Sequence, residues 1–348
     1  MFEELLPDIF RITVPLPDHP LKTVNSYVIT SKERNLIVDT GWNRFDCAEV
    51  LMDGLDAIGV NLSRTDVFLT HIHADHAGLI DLFKNQHTRI FCGQADIKHM
   101  DHFINTCTDK NWQTLRSLAT PHGFSPEEIE TGINAHSGNR YKPSHTSNFS
   151  PINDQDKIIV GNHTLYCIAT PGHTLGHMCL YDPTRKILFS GDHLLGQLSP
   201  TLSQWSLNDK NLASYLASLN DFADYTVDLV LPGHWDEFAN FPAHLKETLS
   251  YHQQRNAEIL ILFSDGKIRN AYQVSSSISW NQKRNEWIFF PITQKWSAVA
   301  DTIAHLCYLR DQGLLTMNTS QYEITWSLSP SYKSLSESFA EHSDQLPL

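Results

Sequence analysis

The stretch Val67-Phe68-Leu69-Thr70-His71-Ile72-His73-Ala74-Asp75-His76-Ala77-Gly78 decides how this chain is read. Val67-Phe68-Leu69 is a short apolar run of the kind that forms a buried strand. It leads straight into His71-x-His73-x-Asp75-His76. On an extended chain His71, His73 and Asp75 share a face, and a turn in the loop lets Asp75 and His76 diverge. Imidazole and carboxylate together suit zinc, iron or manganese, and the absence of sulfur ligands argues against a closed structural zinc site. Four ligand-type side chains in six positions are too many for one open tetrahedral ion that must also hold water. They fit two neighbouring ions.

Outward from that stretch, the same device recurs. Asn35-Leu36-Ile37-Val38 stops at Asp39-Thr40-Gly41, and Thr164-Leu165-Tyr166-Cys167-Ile168 precedes Pro171-Gly172-His173. Lys186-Ile187-Leu188-Phe189-Ser190 ends at Gly191-Asp192, and Asp228-Leu229-Val230-Leu231 ends at Pro232-Gly233-His234. Pro-Gly before a histidine permits a sharp turn that aims the imidazole back at the strand ends. Ile9–Ile12 and Ser26–Ile29 alternate in the manner of strands, and a further strand is expected near 88–92. Leu51, Leu55 and Ile58 recur at helical spacing, so about 45–58 reads as an amphipathic helix.

Between about 95 and 150 the pattern turns helical and polar. It includes a helix start at Pro126-Glu127-Glu128 and a Ser/Asn/His-rich stretch over 137–151, and reads as an inserted cap. Residues 241–330 read as a separate, mostly helical unit. There Val299, Ile303 and Leu306 share one helical face, Gly313 is a C-cap, and Leu314–Thr316 with Tyr322–Trp326 form a hairpin. Helices followed by a hairpin suggest a winged-helix arrangement. Residues 331–348 read as a polar tail. The catalytic domain is therefore expected over 1–240.

Composition narrows the class. A chain of 348 residues corresponds to about two domains. It has no apolar run long enough to span a membrane, and its acidic N-terminus lacks a basic leader, so a cytoplasmic protein is expected. The net charge is −13, with 17 basic against 29 acidic residues over 1–240 and 9 against 10 over 241–348. A general polyanion binder carries the opposite sign, because phosphate contacts dominate nucleic-acid affinity. Cys47, Cys92, Cys107, Cys167, Cys179 and Cys307 are scattered with no CxxC pair. They read as reduced, buried residues.

These residues resemble the metallo-β-lactamase-fold hydrolase superfamily over about 7–240. His71-x-His73-x-Asp75-His76, the later His173, the Gly191-Asp192 turn and the final Pro232-Gly233-His234 follow in the family's order. The resemblance implies an α/β, four-layer αββα sandwich with the smaller winged-helix-like domain appended. It implies one metal held by His71, His73 and His173, a second held by Asp75, His76 and His234, and Asp192 bridging both. The intact Asp75-His76 pair and Asp192 look more like the glyoxalase-II-like branch than the antibiotic-hydrolysing enzymes. The tail, with His305-Leu306-Cys307-Tyr308-Leu309-Arg310-Asp311-Gln312-Gly313-Leu314-Leu315, and the stretch from Gly191 to Trp205 resemble the lactamase-like-2 group.

Asp39 in Val38-Asp39-Thr40-Gly41 matches the family's turn and is expected behind the ligands, orienting an imidazole. His177 is expected to brace a ligand loop. Asp75 is the candidate to take the nucleophile's proton while remaining a ligand. His193 is a candidate donor into the pocket, with packing as the equal alternative. Tyr27 and Trp205 are candidate substrate-binding walls, with apolar core as the other reading of each.

The chemistry implied is hydrolysis of a small ester or thioester by hydroxide formed on two divalent ions, zinc first and iron or manganese next. Three alternatives stand beside it: phosphodiester cleavage of single-stranded RNA, a mononuclear iron dioxygenase, and a nucleic-acid- or partner-binding protein with a vestigial site. The near-neutral tail, without a cluster of Lys and Arg, argues against nucleic acid. A small-molecule substrate and a tail-mediated homodimer are the partners expected.

Overall fold

The computed structural model describes residues 2–85, 87–105, 109–144, 149–197, 199–280 and 286–332. Cys107, residues 145–148 of the Ser/Asn/His-rich stretch and the polar tail from 333 onward lie outside the described residues. The other five cysteines are free and buried. The chain divides into two compact units. One comprises Met1–Asn111, His136–Pro200 and Ser214–Leu249, and the other Trp112–Ala135, Thr201–Ala213 and Ser250–Leu348.

The first unit is built on two sheets. Its seven-stranded sheet runs in chain order: β1 (Phe2–Leu6), β2 (Ile9–Pro15), β3 (Thr23–Ile29), β4 (Asn35–Val38), β5 (Thr65–Phe68), β6 (Ile90–Gly93) and β7 (Phe149–Ile152). The five-stranded sheet contains β8 (Lys157–Val160), β9 (His163–Ala169), β10 (Met178–Asp182), β11 (Ile187–Gly191) and β12 (Leu229–Pro232), ordered β12-β11-β10-β9-β8. Strands β1 to β4 are antiparallel and β4 to β7 parallel.

Both faces of the central strands are buried, so the period-two pattern separates two apolar layers instead of core from solvent. Tyr27, Ile29, Leu36, Val38 and Phe68 face the second sheet's Leu165, Cys167, Met178, Leu180, Phe189 and Leu231. Val24, Val28, Ile37, Val67 and Leu69 face outward onto Cys47, Leu51 and Leu55 of the helix Phe45–Ile58. Beyond the second sheet's loops, Tyr215 of the helix Asn211–Asp221 lies so close that a Cβ on Gly172 would stand 2.4 Å from its own. The layers run helix, sheet, sheet, helix.

In the second unit the helix Ile292–Asp311 buries Val299, Ile303 and Leu306 completely. Gly132 lets the helix Pro126–Ala135 close on it, since a Cβ there would stand 2.9 Å from the Trp296 ring. Gly313, at φ +74°, follows the last turn, and its N–H returns to the Arg310 carbonyl. The hairpin β13 (Leu315–Thr319) and β14 (Ile324–Leu328) comes next. Among the described residues, no helix is long and apolar enough to cross a membrane.

Candidate metal centre

Four loops carry the chemistry, and they leave the ends of β5, β9, β11 and β12. His71 and His73 follow β5, and a single helical turn, Ala74–Ala77, then swings Asp75 and His76 to a different side. The β9–β10 loop brings His173, the end of β11 brings Asp192, and the end of β12 brings His234. Backbone bonds join the two sheets at this edge. Met178 N donates to Thr70 O at 2.8 Å, and Asn25 N donates to Gly233 O at 2.8 Å.

All seven side chains converge. The ring nitrogens of His71 (Nε2), His73 (Nδ1) and His173 (Nε2) form one group, with His73 Nδ1 lying 3.0 Å from His71 and 2.9 Å from His173. Asp75, His76 and His234 form a second, with ligand atoms within 4.8 Å of one another. Asp192 stands between them. Its Oδ1 is 3.4 Å from His76 Nε2, and its Oδ2 is 3.5 Å from His234 Nε2 and 3.6 Å from His173 Nε2. Of the seven, His71, His76 and His234 have no solvent exposure.

The outward ring nitrogens are held by the protein. His71 Nδ1 meets Thr70 Oγ1 at 3.0 Å, and His76 Nδ1 meets Asp39 Oδ2 at 2.8 Å. His234 Nδ1 donates to the Thr23 carbonyl at 2.6 Å. Asp39, itself at φ +60°, also accepts from Thr70 N and Thr70 Oγ1. Such contacts fix which nitrogen is free to face an ion. The inward atoms His76 Nε2, His234 Nε2 and Asp192 Oδ1 are buried and have no hydrogen-bond partner. Bare buried polar atoms are costly, and these point at one another around a common centre.

Protonation follows the same division. Burial, added to by the neighbouring imidazoles, holds His71 well below its usual range. Burial and His173 push His73 down to about 3. Both are neutral, the form that binds a cation. Burial opposes charge on Asp75 and Asp192, yet His76 and His234 outweigh it and keep both carboxylates ionised. Those carboxylates in turn raise His76 to about 9, against the effect of burial. His71 and His73 are thus neutral donors beside ionised carboxylates, whereas His76 and His234, both raised by those carboxylates, would each release a proton on binding a cation.

Other expected residues take different places. His177 is enclosed behind Asp192, with Nδ1 on Thr170 Oγ1 at 2.7 Å and Nε2 accepting from Asp192 N at 3.2 Å. His193 is sealed by Tyr215 and Phe222, at 4.9 and 5.6 Å between ring centres, and has no solvent exposure. That is the packing alternative and not the pocket-facing donor. The Tyr215 hydroxyl, which donates to the His193 carbonyl at 2.7 Å, fixes the turn from behind.

Tyr27 is a core residue, edge-on to Phe189, with its hydroxyl donating to Pro232 O at 2.8 Å. It supports the loop that carries His234 and leaves no face for a substrate. Trp205 packs within the second unit against Trp296 at 4.8 Å and Phe124 at 6.2 Å. Thr23, Thr70 and Asp96 went unnoticed in the sequence. Thr70 sits inside the histidine stretch, but nothing local marks the other two.

A probable metallo-hydrolase of Bacillus subtilis is 27% identical over 282 residues, 78% of this chain and 85% of its own. An atrochrysone carboxyl ACP thioesterase of Passalora fulva is 25% identical over 280 residues, 79% of this chain and 67% of its own. A metallo-beta-lactamase family protein from Thermus thermophilus superposes with a TM-score of 0.78 at 26% identity, covering 93% of this chain and all of that one. The family model of the metallo-beta-lactamase superfamily matches residues 19–234, a span that holds all seven converging side chains. The chain belongs to the metallo-beta-lactamase superfamily.

Proposed function

We propose that this metal-dependent hydrolase holds two divalent ions, zinc in the first instance, and cleaves small acyl thioesters or esters. His71, His73 and His173 would hold one ion, and Asp75, His76 and His234 the other, with Asp192 shared. The observation that carries the reading is the division within the histidines His76 and His234. Their outer nitrogens are engaged by Asp39 and Thr23, while their inner nitrogens and Asp192 Oδ1 are buried and lack a hydrogen-bond partner, with the two nitrogens 3.4 and 3.5 Å from the Asp192 carboxylate. When bound, the ions supply an ionised water and polarise the acyl carbonyl.

The chain's own residues do the rest. Thr70, Asp39 and Thr23 hold three imidazoles in orientation. Asp75 is ionised and, with its side chain 13% exposed, is more open than Asp192 at 8%. It accepts the proton given up by the attacking water. The substrate class is supported by the Passalora fulva relative, named as an ACP thioesterase.

The test uses the full chain reconstituted with zinc. Metal per chain is measured by elemental analysis, and turnover on acyl N-acetylcysteamine thioesters, aryl esters and single-stranded RNA at two salt concentrations. Two ions per chain and thioester turnover indifferent to moderate salt are expected. Failure to take up metal, or turnover confined to RNA and suppressed by salt, overturns the proposal.

A further inference from the structure

Asp96 lies in the first turn of the helix Gln94–Asn105, which follows β6. It is 1% exposed and is not among the groups whose ligand atoms converge on the metal centre. Both carboxylate oxygens are instead spent on two loops. Oδ2 accepts from Ile72 N at 3.2 Å and from Thr174 Oγ1 at 2.7 Å, and Oδ1 accepts from Gly176 N at 2.7 Å. Ile72 sits between His71 and His73, and Thr174 follows His173. One carboxylate thus ties together the two segments, a hundred residues apart in the chain, that carry the all-histidine group.

The backbone at this joint leaves no slack. A Cβ on Gly93 would stand 2.0 Å from Gly176 O, and one on Gly176 would stand 2.4 Å from Asp96 N. The helix start is therefore pressed directly onto the His173 loop, and the carboxylate reaches across it to the His71 loop. Among the described residues nothing comparable joins Asp96 to Asp75, His76 or His234, and the outer nitrogens of His76 and His234 are held by Asp39 and Thr23.

We infer that Asp96 is a positioning residue that sets the spacing of His73 and His71 from His173, and so tunes one of the two metal sites without touching it. The inference rests on the two-ion reading above. Ionised, the carboxylate offers acceptors to three donors. An amide in its place turns one acceptor into a donor that faces another N–H or hydroxyl, and the two loops part.

The experiment titrates metal-free full-length protein with cobalt(II), following the ligand-field spectrum and the heat of binding, for wild type and Asp96→Asn. Wild type is expected to bind in two steps. Asp96→Asn is expected to weaken one step by about 10- to 100-fold, the range for groups that orient ligands, and to leave the other within about threefold. The metal-free thermal midpoint, read in parallel, is expected to fall by several degrees, since a buried donor is left facing a donor, while the selective loss of one binding step is what a purely structural role would not produce.

Thr174→Val, which removes a single one of the three bonds, is the second variant should Asp96→Asn fail to fold, and the same one-step weakening is expected of it. Two steps at wild-type strength in the variant overturn the inference alone. Equal weakening of both steps with a fall in the metal-free midpoint also overturns it, because Asp96 is then only structural. A wild type that binds no metal overturns the two-ion reading and this inference together.

Discussion

Gly233→Ala is the sharpest perturbation of the centre, because it removes no ligand. Gly233 precedes His234, and an added Cβ would stand 2.5 Å from Asp192 Oδ1 and 2.7 Å from His76 Cε1. The first of these is about 0.9 Å inside ordinary contact, which begins near 3.4 Å. The backbone has no easy retreat. Its N–H donates to Gly191 O and its carbonyl accepts from Asn25 N, both at 2.8 Å, which pins it to both sheets.

The methyl must therefore push the Asp192 carboxylate and the His76 ring apart. Overpacking of this kind costs about 1–3 kcal/mol, and a displacement near 1 Å at reacting groups costs about 100-fold in rate. Metal per chain, thioester turnover and the metal-free thermal midpoint should be measured on one preparation. A fall of about 100-fold in turnover with less than full metal and a modestly lower midpoint is expected. Two bound ions with activity within about twofold of wild type would refute the reasoning, because the loop would then have yielded at no cost to the site.

Four further outcomes are expected. Asp192→Ala should lower bound metal and turnover together, and normal metal with full activity would contradict its shared role. Tyr27→Phe removes the bond to Pro232 O and should cost about 1 kcal/mol in chemical denaturation with metal stoichiometry intact; an unchanged midpoint would mean that Asn25, which also donates to Pro232 O at 3.0 Å, suffices.

Burial raises the Asp301 carboxyl from 3.8 to about 6, against the Leu202 N–H and Arg255. The folded state therefore holds this proton more tightly than the unfolded chain. Its contribution, up to about 3 kcal/mol, is present below about pH 4 and lost as pH rises through about 6. Asp301→Asn should abolish that slope, and parallel pH–stability curves for the two proteins would count against it. A chain ended after residue 240 deprives Phe124, Ile129 and Ile133 of Trp296 and the rest of their unit. It should be insoluble, whereas a soluble, metal-binding fragment would support the boundary at 240 read from sequence.

The ligand loops were legible because each couples a local signal, an apolar run, to a turn that carries a rare residue type. β4, β5, β9, β11 and β12 announce themselves this way, as does the helix Phe45–Ile58. β1 was not legible, since Phe2–Leu6 is mostly exposed and carries two adjacent glutamates. β10 escaped because it begins two residues after Gly176 with no separate turn signal. The sequence leaves His193 open between a pocket donor and a packed residue, because Tyr215 and Phe222, which cover it, lie more than twenty residues on. Asp96 and Thr23 are ordinary residues in their own neighbourhoods. Their importance arises solely from what the closed sandwich sets next to them.

The seven converging groups are divided between the sheets. His71, His73, Asp75 and His76 hang from the first, and His173, Asp192 and His234 from the second. Any cation seated among them would act as a further rivet through the seam, beside the bonds from Met178 N to Thr70 O and from Asn25 N to Gly233 O that already join the two slabs. Emptying the pocket should then loosen shear between the slabs while leaving each ladder intact. Amides lining that edge would lose protection from solvent deuterium before those at strand centres.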